Sequence, residues 1–171
     1  MTAPASLEAF YQAAEPYVSL FDTFASKYPL IDYVVPDHIC YKCGSRASFE
    51  KLRDIFEREG CWVFQSTISK RTIAYIRLKQ PLKTVLGDIN YLELADQKPD
   101  RTQRARFDHI EVYPSEWTYD NMIKHLSDAG ERVLVNERPH HSTHEIDIGS
   151  GFKFSCTRER LVDKIKREEM L

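Results

Sequence analysis

Phe107-Asp108-His109-Ile110-Glu111-Val112-Tyr113 carries, at its centre, an Asp-His-Ile triplet already present as Asp37-His38-Ile39, and the two histidines stand 71 residues apart. Each copy is followed by an amphipathic stretch that ends in glycine. Phe49, Leu52, Phe56 and Gly60 follow the first; Tyr119, Met122, Leu126 and Gly130 follow the second, in register at an offset of 70. The one-residue difference between the offsets belongs to the intervening loop. One supersecondary unit is written twice. Two copies of a unit can pack about a pseudo-twofold axis, which brings equivalent residues together. His38 and His109 thus become candidate ligands of one shared site.

Hydrophobic periodicity extends the unit. In the first module, a strand at 38–41 precedes a helix at 48–59 and strand-like runs at 62–68, 72–78 and 89–94. The second repeats this order, with a strand at 107–113, a helix at 118–129 and runs at 132–136, 145–148 and 152–157. The pattern is βαβββ twice, an α+β protein. It divides the chain into an N-terminal helical extension (1–36), a first module (37–95), a charged linker (96–106), a second module (107–157) and a C-terminal helix (158–171). The extension reads as a helix from Ser6, a candidate N-cap, with Phe10, Ala14, Tyr17, Phe21 and Phe24 at helical spacing and Pro16 expected to bend or split it. In the tail, Leu161, Val162 and Ile165 share one side of a helix, with Thr157 as its expected cap.

Alternate side chains of a strand point to opposite faces of a sheet. Ile110 and Val112 claim the helix-covered side, which leaves His109 and Glu111 on the open side; Ile39 and Tyr41 do the same for His38 and Cys40. By the same parity Glu93, Tyr75, Arg77, Lys153 and Ser155 reach the open face. Three ligands drawn from histidine and carboxylate hold a divalent ion while leaving positions for water or substrate. His38, Glu93 and His109 form such a set.

At these residues the chain resembles the vicinal-oxygen-chelate superfamily, the group of glyoxalases, bleomycin-resistance proteins and extradiol dioxygenases, and within it the YecM-like branch. The resemblance spans about residues 37–157. It implies two paired βαβββ modules forming a curved mixed sheet with a cleft, and ligands on the first and last strands of each module. His38, His109 and Glu93 match three such positions. The fourth falls near Ser155 or Cys156, neither a carboxylate, so the base that a glyoxalase-type isomerisation needs is missing there. Glu111 and Glu145 are the candidates to supply it. The resemblance implies zinc, iron, nickel or manganese as cofactor. It also implies a lyase, isomerase or dioxygenase acting on a small, oxygenated, acidic metabolite, or a non-catalytic binding module of the bleomycin-resistance type.

The remaining features set bounds. With 24 basic and 26 acidic residues among 171, the net charge of -2 offers no field for nucleic acid or an anionic membrane. No apolar run reaches the ~18 residues of a membrane span. The first 25 residues hold Glu8, Glu15 and Asp22 and do not read as a secretory signal, so four reduced cysteines in a cytoplasmic protein are expected. Cys40-Tyr41-Lys42-Cys43 has metal-pair spacing but no second pair, and reads as ordinary thiols. The cluster His140-His141-Ser142-Thr143-His144-Glu145 reads as a solvated loop in the turn between two strands, the functional alternative being that His144 or Glu145 swings into the cleft as the missing ligand or a substrate contact. Lys70, Arg71, Arg77, Lys79 and Lys153 suggest a basic cleft wall, with Tyr75, Arg77 and Lys153 as substrate contacts. The protein is expected to act as a monomer or homodimer, an N-terminal helix interface being the structural alternative.

Overall fold

A computed structural model describes residues 3–68, 70–137 and 142–169. The elements are α1 (Leu7–Ala25), β1 (Val34–Lys42), α2 (Arg46–Arg58), β2 (Trp62–Ile68), β3 (Arg71–Thr84), β4 (Gly87–Ala95), β5 (Arg106–Pro114), α3 (Tyr119–Asp128), β6 (Leu134–Glu137), β7 (Ser142–Gly149), β8 (Phe152–Cys156) and α4 (Leu161–Glu169). The βαβββ order is present twice. All eight strands form one mixed sheet in the order β2-β3-β4-β1-β5-β8-β7-β6.

That order reads alike from either end. β1 and β5 pair antiparallel at the centre, and each carries its own module's last strand, β4 or β8, in parallel on its outer side. The registers are equivalent too: Cys40 faces Glu93 as Glu111 faces Ser155, and Tyr75 faces Glu93 as Glu145 faces Ser155. Both module helices stop the same way. Gly60 and Gly130 take positive φ, of 75° and 92°, which glycine adopts without a Cβ clash. The next N–H, of Cys61 or Glu131, then reaches back to the carbonyl of Phe56 or Leu126.

The helix-side core joins the modules. Ile39, Tyr41, Ile76, Leu92, Leu94, Phe107, Ile110, Val112, Phe152 and Phe154 are buried there with Leu52 and Phe56 of α2 and Met122 and Leu126 of α3. α1 lies across the seam. Phe10 packs on Phe56 and Phe107, Tyr17 on Phe107 and Phe152, and Phe21 and Phe24 on Phe154. Its apolar face is therefore engaged within the chain. Ser6 caps it, accepting from the Ala9 N–H at 3.1 Å. Of the two expected effects of Pro16, the split does not occur, for the helix runs unbroken from Leu7 to Ala25. An interior proline costs ~3 kcal/mol, and burying each of several aromatic side chains returns about 1.5–3 kcal/mol.

α4 forms as the C-terminal helix the sequence predicts. It lies on the opposite, open face, where Leu161 and Ile165 are buried with Ile73, Tyr75 and Ala95, and Phe64, Ile68 and Tyr91 pack around them. Thr157 does not cap it. The Thr157 hydroxyl turns to Glu159, and the first helical N–H, of Leu161, donates instead to Asp37 Oδ2 at 2.8 Å. No helix among the described residues is long and apolar enough to cross a membrane.

All four cysteines are free and buried. Cys40 faces the α4 side while Cys43 sits in the helix-side core, so the two thiols do not form a pair. Burial pushes the Cys43 thiol up to about 12 and raises Cys40, Cys61 and Cys156 as well. A raised thiol pKa leaves little thiolate near pH ~8, and thiolate is the reactive form. Native protein is therefore expected to react with an aromatic disulfide reagent far more slowly than unfolded chain, all four thiols appearing only in denaturant. Rapid labelling of native Cys40 or Cys43 would contradict this packing.

Candidate metal centre

The site is built by two reciprocal β-bulges. Along β1, Pro36 pairs with Val112 and His38 with Glu111, so Asp37 is one residue extra. Along β5, Cys40 pairs with His109 and Tyr41 with Phe107, so Asp108 is extra. A bulge suspends the strict alternation of faces and re-aims a side chain. Here it lets consecutive aspartate and histidine side chains meet. Asp37 Oδ2 lies 3.0 Å from His38 Nδ1, and Asp108 Oδ2 lies 3.0 Å from His109 Nδ1. Pro36, which has no N–H to give a ladder, fits a central strand beside such an irregularity.

Because a carboxylate accepts, each neutral imidazole carries its hydrogen on Nδ1 and keeps a lone pair on Nε2. Both aspartates are anchored in turn. Asp108 accepts from Lys42 at 2.5 Å and Arg106 at 2.6 Å. Burial would raise the Asp108 carboxyl, but His109 and Lys42 hold it well below the usual range. Asp37 accepts the Leu161 N–H from α4.

The two Nε2 atoms point into one space, the rings lying 5.8 Å apart. Glu111 Oε2 is 3.6 Å from His109 Nε2 and 4.0 Å from His38 Nε2, and Glu93 Oε2 is 3.8 Å from His38 Nε2. Adjacent donors around a divalent ion with bonds of about 2.1 Å lie roughly 3.0–3.4 Å apart, so these groups are within a small adjustment of ligation distance. His38, His109 and Glu111 offer donor atoms all within 4.8 Å of one another. They are 1%, 4% and 5% exposed. Among the described residues, the buried polar side-chain atoms lacking a hydrogen-bond partner are His38 Nε2, His109 Nε2, Glu111 Oε1, Ser155 Oγ and Tyr41 Oη; the first two face the space between the histidines, and Glu111 Oε1 is turned towards Lys164. Unpaired buried polar atoms are rare. Two such imidazole nitrogens converging on one space, with Glu111 Oε2 beside them, mark a candidate ion position.

The electrostatics agree. Burial alone would lower His38, yet Glu111, Asp37 and Glu93 together raise it. Burial would raise Glu111, but His38, Lys164 and His109 bring it below its ordinary value. Glu93 is likewise lowered, through His38 and His109, against its burial. Two ionised carboxylates beside two imidazoles in a buried pocket form an arrangement that a cation stabilises.

The remaining sequence candidates fall in several places. Lys153 follows His109 in register and holds Glu145 at 2.5 Å; Glu145 also accepts from Asn136 at 2.8 Å, and its pKa is lowered by these bonds against its burial. Glu145 lies on β7 as the strand-like run predicts, and that strand begins earlier, at Ser142, so His144 is on it too. Tyr75 is beside Glu93 but buried under α4, and Arg77 is exposed on β3. Ser155 pairs with Glu111. Cys156 and His144 do not join the cluster: Cys156 is in the helix-side core, and His144 Nδ1 meets the Tyr119 hydroxyl at 2.7 Å. His140 and His141 lie outside the described residues. The basic wall is not assembled, since Arg71 binds Gln103 and Lys79 lines a cavity beside Leu7 and Tyr11 at the start of α1. Cys40 donates to Glu93 Oε1 at 3.4 Å.

Three contributors escaped the sequence reading. Asp37 and Asp108 were visible as parts of the repeated triplet, but their role depends on bulges that only strand pairing defines. Lys164 approaches Glu111 Oε1 at 3.7 Å from α4, and nothing in the sequence places that helix over the site.

Comparison with known proteins is consistent with this architecture. The model of the YecM protein family matches residues 15–159. No curated protein sequence matches the chain. Among solved structures, a structural-genomics protein designated EC4020 superposes with a TM-score of 0.68 at 16% identity, covering 98% of this chain and 97% of that one. A methylmalonyl-CoA epimerase superposes with a TM-score of 0.50 at 12% identity, covering 74% and 97%. A hydroxyglutarate synthase from Oryza sativa, in complex with 2-oxoadipate, gives 0.50 at 10% identity, covering 100% and 89%. At such identities the structural likeness speaks for the fold alone, whereas the family match spans most of the chain. The protein shares the fold of these structures and belongs to the YecM family.

Proposed function

We propose that the protein is a divalent-metal-dependent enzyme acting on a small, oxygenated, acidic metabolite. The observation that carries this reading is the convergence of the buried, unpartnered His38 Nε2 and His109 Nε2 with the buried Glu111 carboxylate, each histidine being fixed from behind by its own aspartate. A neutral imidazole backed by a carboxylate is the usual arrangement of a metal-bound histidine. Glu93 completes the set from β4. Its side chain is 21% exposed against 7% for Glu111, which places it towards the open edge.

Zinc, iron, nickel or manganese suits this mixed nitrogen and oxygen donor set, and such an ion supplies Lewis acidity towards a substrate oxygen. The protein's part is orientation. Asp37 and Asp108 set the tautomers, the two histidines and Glu111 form the floor, and α4 helps to exclude water from above. Glu111 serves here as a ligand in preference to a base, and Glu145 is engaged by Lys153 and Asn136. Ser155 stands where a basic carboxylate would be needed on β8. This distribution disfavours isomerisation of a hemithioacetal, which requires a base beside the ion, and two histidines with a carboxylate suit non-haem iron and oxygen chemistry.

Competition titration with a chromophoric chelator tests the ligand set. Asp108→Asn and Asp37→Asn are each expected to weaken zinc binding by about 10–100-fold, and His38→Ala by more. Unchanged affinity in His38→Ala would refute the site. Affinity is also expected to fall on acidification, because protons compete for Nε2. Since burial lowers His38 less than Glu111, Asp37 and Glu93 raise it, the decline starts above the ordinary histidine value. Affinity that is flat between about pH 5 and 8 would exclude histidine ligation.

A further inference from the structure

We infer that Lys164, on α4, is the residue that recognises the anionic group of the substrate, a small carboxylate seated over the ion. This inference rests on the metal-centre reading above. Glu111 divides its two oxygens: Oε2 faces the histidines, at 3.6 and 4.0 Å, and Oε1 faces Lys164 Nζ, at 3.7 Å. The ammonium therefore stands one carboxylate group away from the ion's position, on the roof side. Its side chain is 18% exposed.

Charge balance makes this cation consequential. A divalent ion held by Glu93 and Glu111 is neutralised by its own ligands, so it offers no net charge to distinguish an anionic substrate from a neutral one. The nearby basic groups are committed elsewhere. Lys42 and Arg106 hold Asp108, and Lys153 holds Glu145, all at hydrogen-bonding distance. Lys164 is different. At 3.7 Å its contact with Glu111 is longer than a hydrogen bond, and among the described residues its ammonium makes none. It keeps three donors for an incoming oxyanion.

The helix that carries it is positioned at the site. Leu161 gives its N–H to Asp37, the residue that orients His38, and Leu161 and Ile165 are buried against Ile73, Tyr75 and Ala95. Lys164 lies between these two apolar anchors in sequence. Its place over the site follows from the docking of α4, and a flexible lysine stem covers the remaining distance to a ligand.

Calorimetric titration of oxalate into the full-length, manganese-loaded protein tests this, with manganese affinity measured separately. Lys164→Met is expected to weaken oxalate binding by about tenfold or more with manganese affinity maintained, as befits loss of a charged hydrogen bond, and Lys164→Arg is expected to restore most of it. Oxalate binding as tight in Lys164→Met as in the wild type would overturn the role of Lys164 while leaving the metal centre standing. A loss that Lys164→Arg does not restore, or one matched by a loss of manganese, would assign Lys164 to packing or metal retention and overturn the inference as well. Failure of the wild-type protein to load manganese or zinc would overturn the metal centre itself, and the inference with it.

Discussion

Two hydrogen bonds of 3.0 Å, from His38 to Asp37 and from His109 to Asp108, depend on a backbone irregularity that a regular strand forbids. Neighbouring side chains of a strand point apart, so an adjacent aspartate and histidine normally serve opposite faces. The extra residue in each central strand removes that restriction, and it does so reciprocally: β1 bulges against β5 at Asp37, and β5 against β1 at Asp108. Everything distinctive about the site follows. The imidazoles have a fixed tautomer, their Nε2 atoms converge, and the two modules are joined along the pair of strands that creates the pocket.

The same bonds couple the site to its surroundings. Asp108 is tied to Lys42 and Arg106, one from each central strand, so the outer support of His109 also bridges the modules. Asp37 holds the first turn of α4, making the roof and the orientation of His38 parts of one structure. The asymmetry between modules is chemical as well. Glu93 and Ser155 are equivalent in register, and so are Cys40 and Glu111; module one contributes its carboxylate from the last strand, module two from the first. The pseudo-twofold arrangement of backbone thus carries a donor set that is not itself twofold.

Much of this was legible in the chain. The repeated triplet and the glycines at 60 and 130 reveal the duplication, and apolar alternation places His38, Glu93, His109 and Glu111 on one face, because Glu93 and Glu111 lie between, and His38 and His109 next to, residues that the helix-side core claims. What alternation cannot reveal is its own interruption. A bulge is defined by the partner strand, so Asp37 and Asp108 show only as repeated letters. Glu111 falls on the face that alternation gives it, but it becomes a candidate ligand only when the register sets it opposite His38. α4 is a further limit: its apolar stripe predicts that Leu161 and Ile165 are buried but not against which surface, and its N-terminal partner lies 124 residues away. Pro16 does not break α1, since local propensity yields to the burial of an aromatic face.

The central claim is that two aspartate-backed histidines and Glu111 surround a single ion position. An anomalous-scattering map from crystals of the full chain grown with manganese or zinc tests it most directly. The account predicts one strong peak bonded to His38 Nε2, His109 Nε2 and a Glu111 oxygen, with Glu93 alongside and both Nδ1 atoms still facing their aspartates. A peak bound elsewhere, or bonded through Nδ1 with the aspartates displaced, would contradict it.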